Sequence, residues 1–135
     1  MSNKKFYLVL DTETVADARV PFDIAWTIID RKGEIVEQRN YFTEEIVGNA
    51  TGLYIITKDS FSKSKAQFYC DAANTTPELI TPFVEICEEI ENACRTWNNA
   101  PVVAYNARFD TGVINAYCRA LNLPIVFNES REVWD

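Results

Sequence analysis

Residues 4–14 read KKFYLVLDTET, an apolar run that closes on two acids one residue apart. Phe6 to Leu10 is almost continuously apolar, the pattern of a strand buried on both faces. Alternate residues of a strand share a face, so Asp11 and Glu13 project together from the end of this strand. Carboxylates held side by side raise one another's pKa unless a cation neutralises them. Asp and Glu are hard oxygen ligands, suited to Mg²⁺ or Mn²⁺. An ordinary polar strand end looks the same, so the pair needs a partner elsewhere in the chain.

Working outward, residues 23–30 (DIAWTIID) read as a second strand and residues 34–42 (EIVEQRNYF) as a third. The short Arg31-Lys32-Gly33 link between them favours an antiparallel hairpin, and the three strands form a meander. Residues 43–74 are irregular and polar, with helix expected but not placeable. Thr81 and Pro82 then open a helix as N-cap and first helical residue. Its stripe is Phe83, Ile86, Cys87, Ile90, Cys94 and Trp97, and Asn98-Asn99 end it. Pro101 to Tyr105 is a fourth strand. A second helix runs from about Ala107 to Leu121 on the stripe Phe109, Val113, Ile114, Tyr117 and Leu121, stopped by Asn122 and Pro124. Residues 125–127 offer a fifth short strand. The expected fold is α/β, a mixed sheet with helices packed on it.

The partner for the acids lies in VVAYNARFD, residues 102–110. In open α/β sheets, sites form at the carboxyl ends of strands. If the first and fourth strands are parallel neighbours, Asp110 meets Asp11 and Glu13 at one edge. Asn106 caps the helix and leaves Asp110 in its first turn. Favourable charge at a helix N-terminus, worth under about 1 kcal/mol, explains an Asp there but not its match in position with the other two.

DTET (11–14) resembles the first motif of the DEDD 3′–5′ exonucleases of the proofreading type, and NARFD (106–110) resembles their second, Asn-x-x-Phe-Asp. The stretch from Asp23 to Phe42 is similar to the segment just after the first motif in that family. The likeness covers most of the chain and is weakest over residues 43–74; compact single-domain versions such as those carried by phages look nearest. It implies a ribonuclease H-like fold and hydrolysis of phosphodiester bonds at the 3′ end of DNA or RNA by a two-metal mechanism, with ions about 4 Å apart. Asp11, Glu13 and Asp110 would be the catalytic and metal-binding residues, with two Mg²⁺ or Mn²⁺ ions. Thr12, Thr14 and Asn106 would border the terminal nucleotide, and Phe109 would face the core and fix Asp110. The implied partner is a single-stranded DNA or RNA 3′ end; a polymerase or other replication or repair partner is left open.

The family also has a third motif, a His or Tyr followed a few residues later by Asp. None follows the second motif here, and the chain has no histidine. Asp135, in REVWD, is a tempting fourth ligand, but in the family an Asp near this point commonly begins the next helix, so the resemblance implies a capping residue there instead. The expectation is one exonuclease-like domain over residues 1–135, truncated at its C-terminus and incomplete as a catalyst. The alternative is a non-catalytic nucleic-acid-binding or protein-interaction module on the same fold.

Composition fits a globular chain of 135 residues with a real core: 47% hydrophobic and 24% charged. The net charge of −7 argues against a broad basic nucleic-acid-binding face, but a 3′ end needs few phosphate contacts. Lys58, Lys63 and Lys65 with Phe61 and Phe68 could touch a strand; a solvated loop is the more ordinary account of them. Cys70, Cys87, Cys94 and Cys118 form no C-x-x-C pair, so buried free thiols of a cytoplasmic protein are expected, not zinc. No stretch is apolar enough to span a membrane.

Overall fold

The computed structural model describes residues 5–15, 20–48 and 63–134. Its centre is a meander of three long strands, β1 (Phe6–Val15), β2 (Val20–Asp30) and β3 (Ile35–Thr43). The β2–β3 turn holds because Gly33 takes φ +84°, a conformation that glycine adopts without the strain a side chain would bring. The Asp30 carboxylate also accepts the Lys32 and Glu34 amides at 2.8 and 3.0 Å.

Helix α1 (Glu44–Val47) follows, then α2 (Lys63–Thr75), a 3₁₀ turn (Pro77–Leu79) and the two-residue β4 (Ile80–Thr81). Helix α3 (Phe83–Thr96), β5 (Val102–Val103), α4 (Ala107–Ala120) and β6 (Val133–Trp134) complete the order. The sheet runs β4-β3-β2-β1-β5-β6. Its β1–β2 and β2–β3 pairs are antiparallel, and β3–β4, β1–β5 and β5–β6 are parallel. The mixed sheet is as expected. The final strand is at Val133–Trp134, not at residues 125–127, where Val126 and Phe127 are buried in a loop instead. The Asn115 side chain satisfies the Phe127 backbone in both directions, at 2.9 and 3.1 Å, so that backbone has no need of a strand neighbour.

Alternation decides the faces. Leu8, Leu10, Ile24, Trp26 and Ile28 are buried on one side, under α3 and α4, with Phe83, Ile86, Ile90, Ile114 and Cys118. On the other side Val9 is 36% exposed and Asp11 is exposed. β1 is therefore buried on one face only, and its apolar run overstates its cover. A second, smaller cluster of Phe22, Phe42, Val47 and Tyr69 seats α1 and α2.

The start of α3 also differs from expectation. Pro82 is the N-cap, and Thr81 lies in β4 with its hydroxyl donating to the Leu79 carbonyl at 3.2 Å. The free Phe83 amide is met by the Glu45 carboxylate at 3.0 Å, a cap delivered by α1. Asn98 and Asn99 do end the segment, both at positive φ (60° and 53°), which Asn tolerates. Among the described residues no helix is long and apolar enough to cross a membrane.

Candidate functional site

Asp11 and Glu13 lie inside β1, which runs on to Val15. They share the open face with Val9, as strand alternation requires. Glu13 is the cross-strand partner of Asp23 in β2. Like charges facing each other across a pair are destabilising, so this placement calls for an explanation beyond folding.

Asp110 reaches the same strand from its edge. The Leu8 amide donates to Pro101 at 3.0 Å, so Leu8, Leu10 and Thr12 present their amides towards β5. β5 ends at Val103, paired with Val9, and leaves Thr12 without a strand neighbour on that side. The Asp110 carboxylate takes that place. It accepts the Thr12 hydroxyl at 2.6 Å, a buried contact across 98 positions of sequence, and a bond from the Thr12 backbone. Burial pushes the Asp110 carboxyl above its ordinary range; the Thr12 hydroxyl opposes this, and the charges of Asp11 and Glu13 add to it. Three acids from the two ends of the sequence thus lie within one another's field.

Asp23 belongs to this group, although nothing in its immediate sequence marks it. Burial raises its carboxyl, and Glu13 and Asp11 raise it further. Tyr69 of α2 donates to one oxygen and Asn40 of β3 to the other, each at 2.7 Å. The signal that could have found it is the hairpin register, which sets Asp23 opposite Glu13; the apolar pattern of the strand carries no trace of it.

Other expectations shift. Asn106 is the N-cap residue of α4, yet its side chain makes no capping bond; its carbonyl accepts the Phe109 and Asp110 amides at 2.9 and 3.1 Å. Phe109 does not face the core. It is 37% exposed and lines a shallow cleft of about 460 Å³ with Val20, Arg108 and Gly112. Asp110 is fixed by Thr12, not by Phe109. The buried face of α4 includes Ala107, Asp110, Thr111, Ile114 and Cys118. Thr12 is buried and Thr14 half-buried. Tyr105 is fully exposed at the turn into α4. Phe68 is exposed on α2; Lys58, Phe61 and Asp135, and the Lys63 and Lys65 side chains, lie outside the described residues.

Among the described residues, no three acidic or thiol side chains are grouped closely enough to hold one metal ion. The donor chemistry still fits a hard cation: acid oxygens from β1 and α4 that repel one another, with the Asp110 carboxyl raised by its surroundings.

No family model matches the chain, and no curated protein matches it in sequence. Solved structures do. Exonuclease I in complex with the inhibitor BCBP superposes with a TM-score of 0.64 at 13% identity, over 99% of this chain and 29% of that one. E. coli exonuclease I in complex with a dT13 oligonucleotide gives 0.61 at 14%, over 97% and 28%. The fold is that of the matched part of exonuclease I. It is ribonuclease H-like, a mixed sheet of an antiparallel meander with added parallel strands and flanking helices. An exonuclease I complex with the SSB C-terminus agrees, with a TM-score of 0.63 at 13% identity. The chain spans less than a third of the length of these exonuclease I structures.

Proposed function

We propose that the chain carries the first part of the active site of a metal-dependent 3′–5′ exonuclease acting on single-stranded DNA or RNA ends. The observation that carries this is the Thr12–Asp110 bond, which brings the acid of NARFD to the strand that bears Asp11 and Glu13. A fold of this kind has no stabilising use for Asp11 and Glu13 set against both Asp110 and Asp23; a site for cations does. Structural likeness to exonuclease I solved with an oligonucleotide supports the choice of substrate class.

In this reading Asp11, Glu13 and Asp110 hold two Mg²⁺ or Mn²⁺ ions. When bound, such ions supply an activated water and neutralise the leaving 3′-oxygen. Glu13 orients the attacking water from the open face. Thr12 holds Asp110 in place, and the backbone at Thr12 and Thr14, with Asn106, borders the terminal nucleotide. Exposed Phe109 and Tyr105, on either side of Asn106, offer faces on which bases can stack.

A second reading is a non-catalytic module that binds nucleic acid or protein through the same fold. The loose grouping of the acids favours it, since one Asp110 oxygen is already taken by Thr12. Calorimetric titration with Mn²⁺ separates the two. The nuclease reading expects saturable binding that weakens at least tenfold in Asp11→Ala and in Asp110→Ala. Equal weak binding in all three proteins, together with retained affinity for an oligonucleotide, selects the module.

A further inference from the structure

Outside the acidic cluster, two sulfurs meet in the core. Cys87 of α3 and Cys118 of α4 approach to 3.7 Å, in hydrogen-bond contact. Both are free thiols. A disulfide needs the sulfurs at about 2.05 Å, so rotation of the two side chains has a short gap to close. The pair is not sealed off equally. Cys118 is fully buried, whereas Cys87 keeps 7% of its surface and lines an open cleft of about 430 Å³ between α3 and the loop at Leu123, Pro124 and Val126.

We propose that Cys87 and Cys118 form a peroxide-oxidisable dithiol, closing to a disulfide that ties α3 to α4. The cleft decides the oxidant. With only 7% of Cys87 accessible, the proposed oxidant is a small one, hydrogen peroxide, rather than a tripeptide disulfide such as oxidised glutathione. In the first step the Cys87 sulfur, having given up its proton, attacks the peroxide O–O bond. It becomes a sulfenic acid, and hydroxide leaves with the Cys87 proton as water. In the second the Cys118 sulfur attacks the Cys87 sulfur and the S–O bond breaks. The departing hydroxide takes the Cys118 proton and leaves as a second water. Two thiols are oxidised by two electrons and one peroxide is reduced to two waters. The bond to Cys118 and burial together push the Cys87 thiol up, while the same bond draws Cys118 down. Cys87 attacks first because it is the sulfur on the cleft, and as the poorer thiolate it calls for peroxide in excess over protein.

The proposal does not depend on the nuclease reading, because its readout is covalent. The whole chain is reduced, freed of reductant and treated with excess hydrogen peroxide, in a Cys70→Ser background that removes the half-exposed thiol. Intact and peptide mass spectrometry then read the product. The expected result is the loss of two hydrogen masses, one peptide pair linking Cys87 to Cys118, and full reversal by dithiothreitol. Cys118→Ala should leave Cys87 as a sulfenic or sulfinic acid instead; if that variant does not fold, the linked peptide in the parent decides alone. Cys87 found as an irreversible sulfinic acid with Cys118 still a thiol would overturn the proposal, as would two unmodified thiols. A glutathione adduct on Cys87 would overturn the assignment of the oxidant.

Discussion

Asp110 is buried where a charge is unwelcome, and its neighbours Asp11 and Glu13 make it less welcome still. An Asn there keeps an oxygen for the Thr12 hydroxyl and removes the repulsion. Asp110→Asn should therefore raise the stability of the metal-free protein by about 1 kcal/mol, a usual gain when a strained functional group is removed, while abolishing any nuclease activity. Urea denaturation of both proteins checks the first half; equal or lower stability in the variant would mean that the field is not felt. Tyrosines carry a second prediction at this scale. Burial and Glu89 push Tyr41 up to about 12, and burial and Asp23 push Tyr69 higher. Folded values above the ordinary 10 mean stabilisation that is complete below pH 10 and is lost as pH rises through the folded values. Thermal melts from about pH 9 to about pH 12 should show that loss, and Tyr69→Phe should make it shallower. At this scale the acids Asp11, Glu13 and Asp110 are conspicuous in the sequence because they follow apolar runs. Asp23 is not, because its importance comes from register rather than from its immediate neighbours in sequence.

Helix α4 delivers Asp110, and its docking rests on a few buried contacts. Ile114 is fully buried in the main core, so Ile114→Ala should cost about 2–5 kcal/mol. Asn115→Ala leaves the Phe127 backbone without two partners and should cost about 1–3 kcal/mol. Both are measurable by chemical denaturation, and costs below about 0.5 kcal/mol would contradict the packing described. The limits of α4 are close to those its sequence predicts; Val113 and Ile114 of the predicted stripe are buried and Tyr117 packs on the core, but the two ends of the stripe are not covered. Large residues draw the eye to Phe109 and Leu121, both more than a third exposed. The buried positions at Ala107, Thr111, Ile114 and Cys118 follow helical spacing, and the first two are too small or too polar to look like core. The same bias towards size explains residues 125–127: an apolar triplet is buried equally well by a loop that a side chain holds down.

Across the whole molecule, the three-stranded meander and the parallel addition of β5 to β1 are legible, because turns and apolar runs are local signals. The other two-residue strands, β4 and β6, are not, since two residues carry no periodicity. What the sheet achieves is convergence: Thr12 and Asp110 touch although 98 positions of sequence separate them. The function of that convergence is read from a product. A 5′-labelled single strand of DNA, and one of RNA, incubated with the full-length protein and Mn²⁺ should shorten stepwise from the 3′ end. The shortening should stop in Asp11→Ala and Asp110→Ala. Strands that stay intact with metal present, while the protein still binds them, would contradict the nuclease account and leave the fold as a binding module.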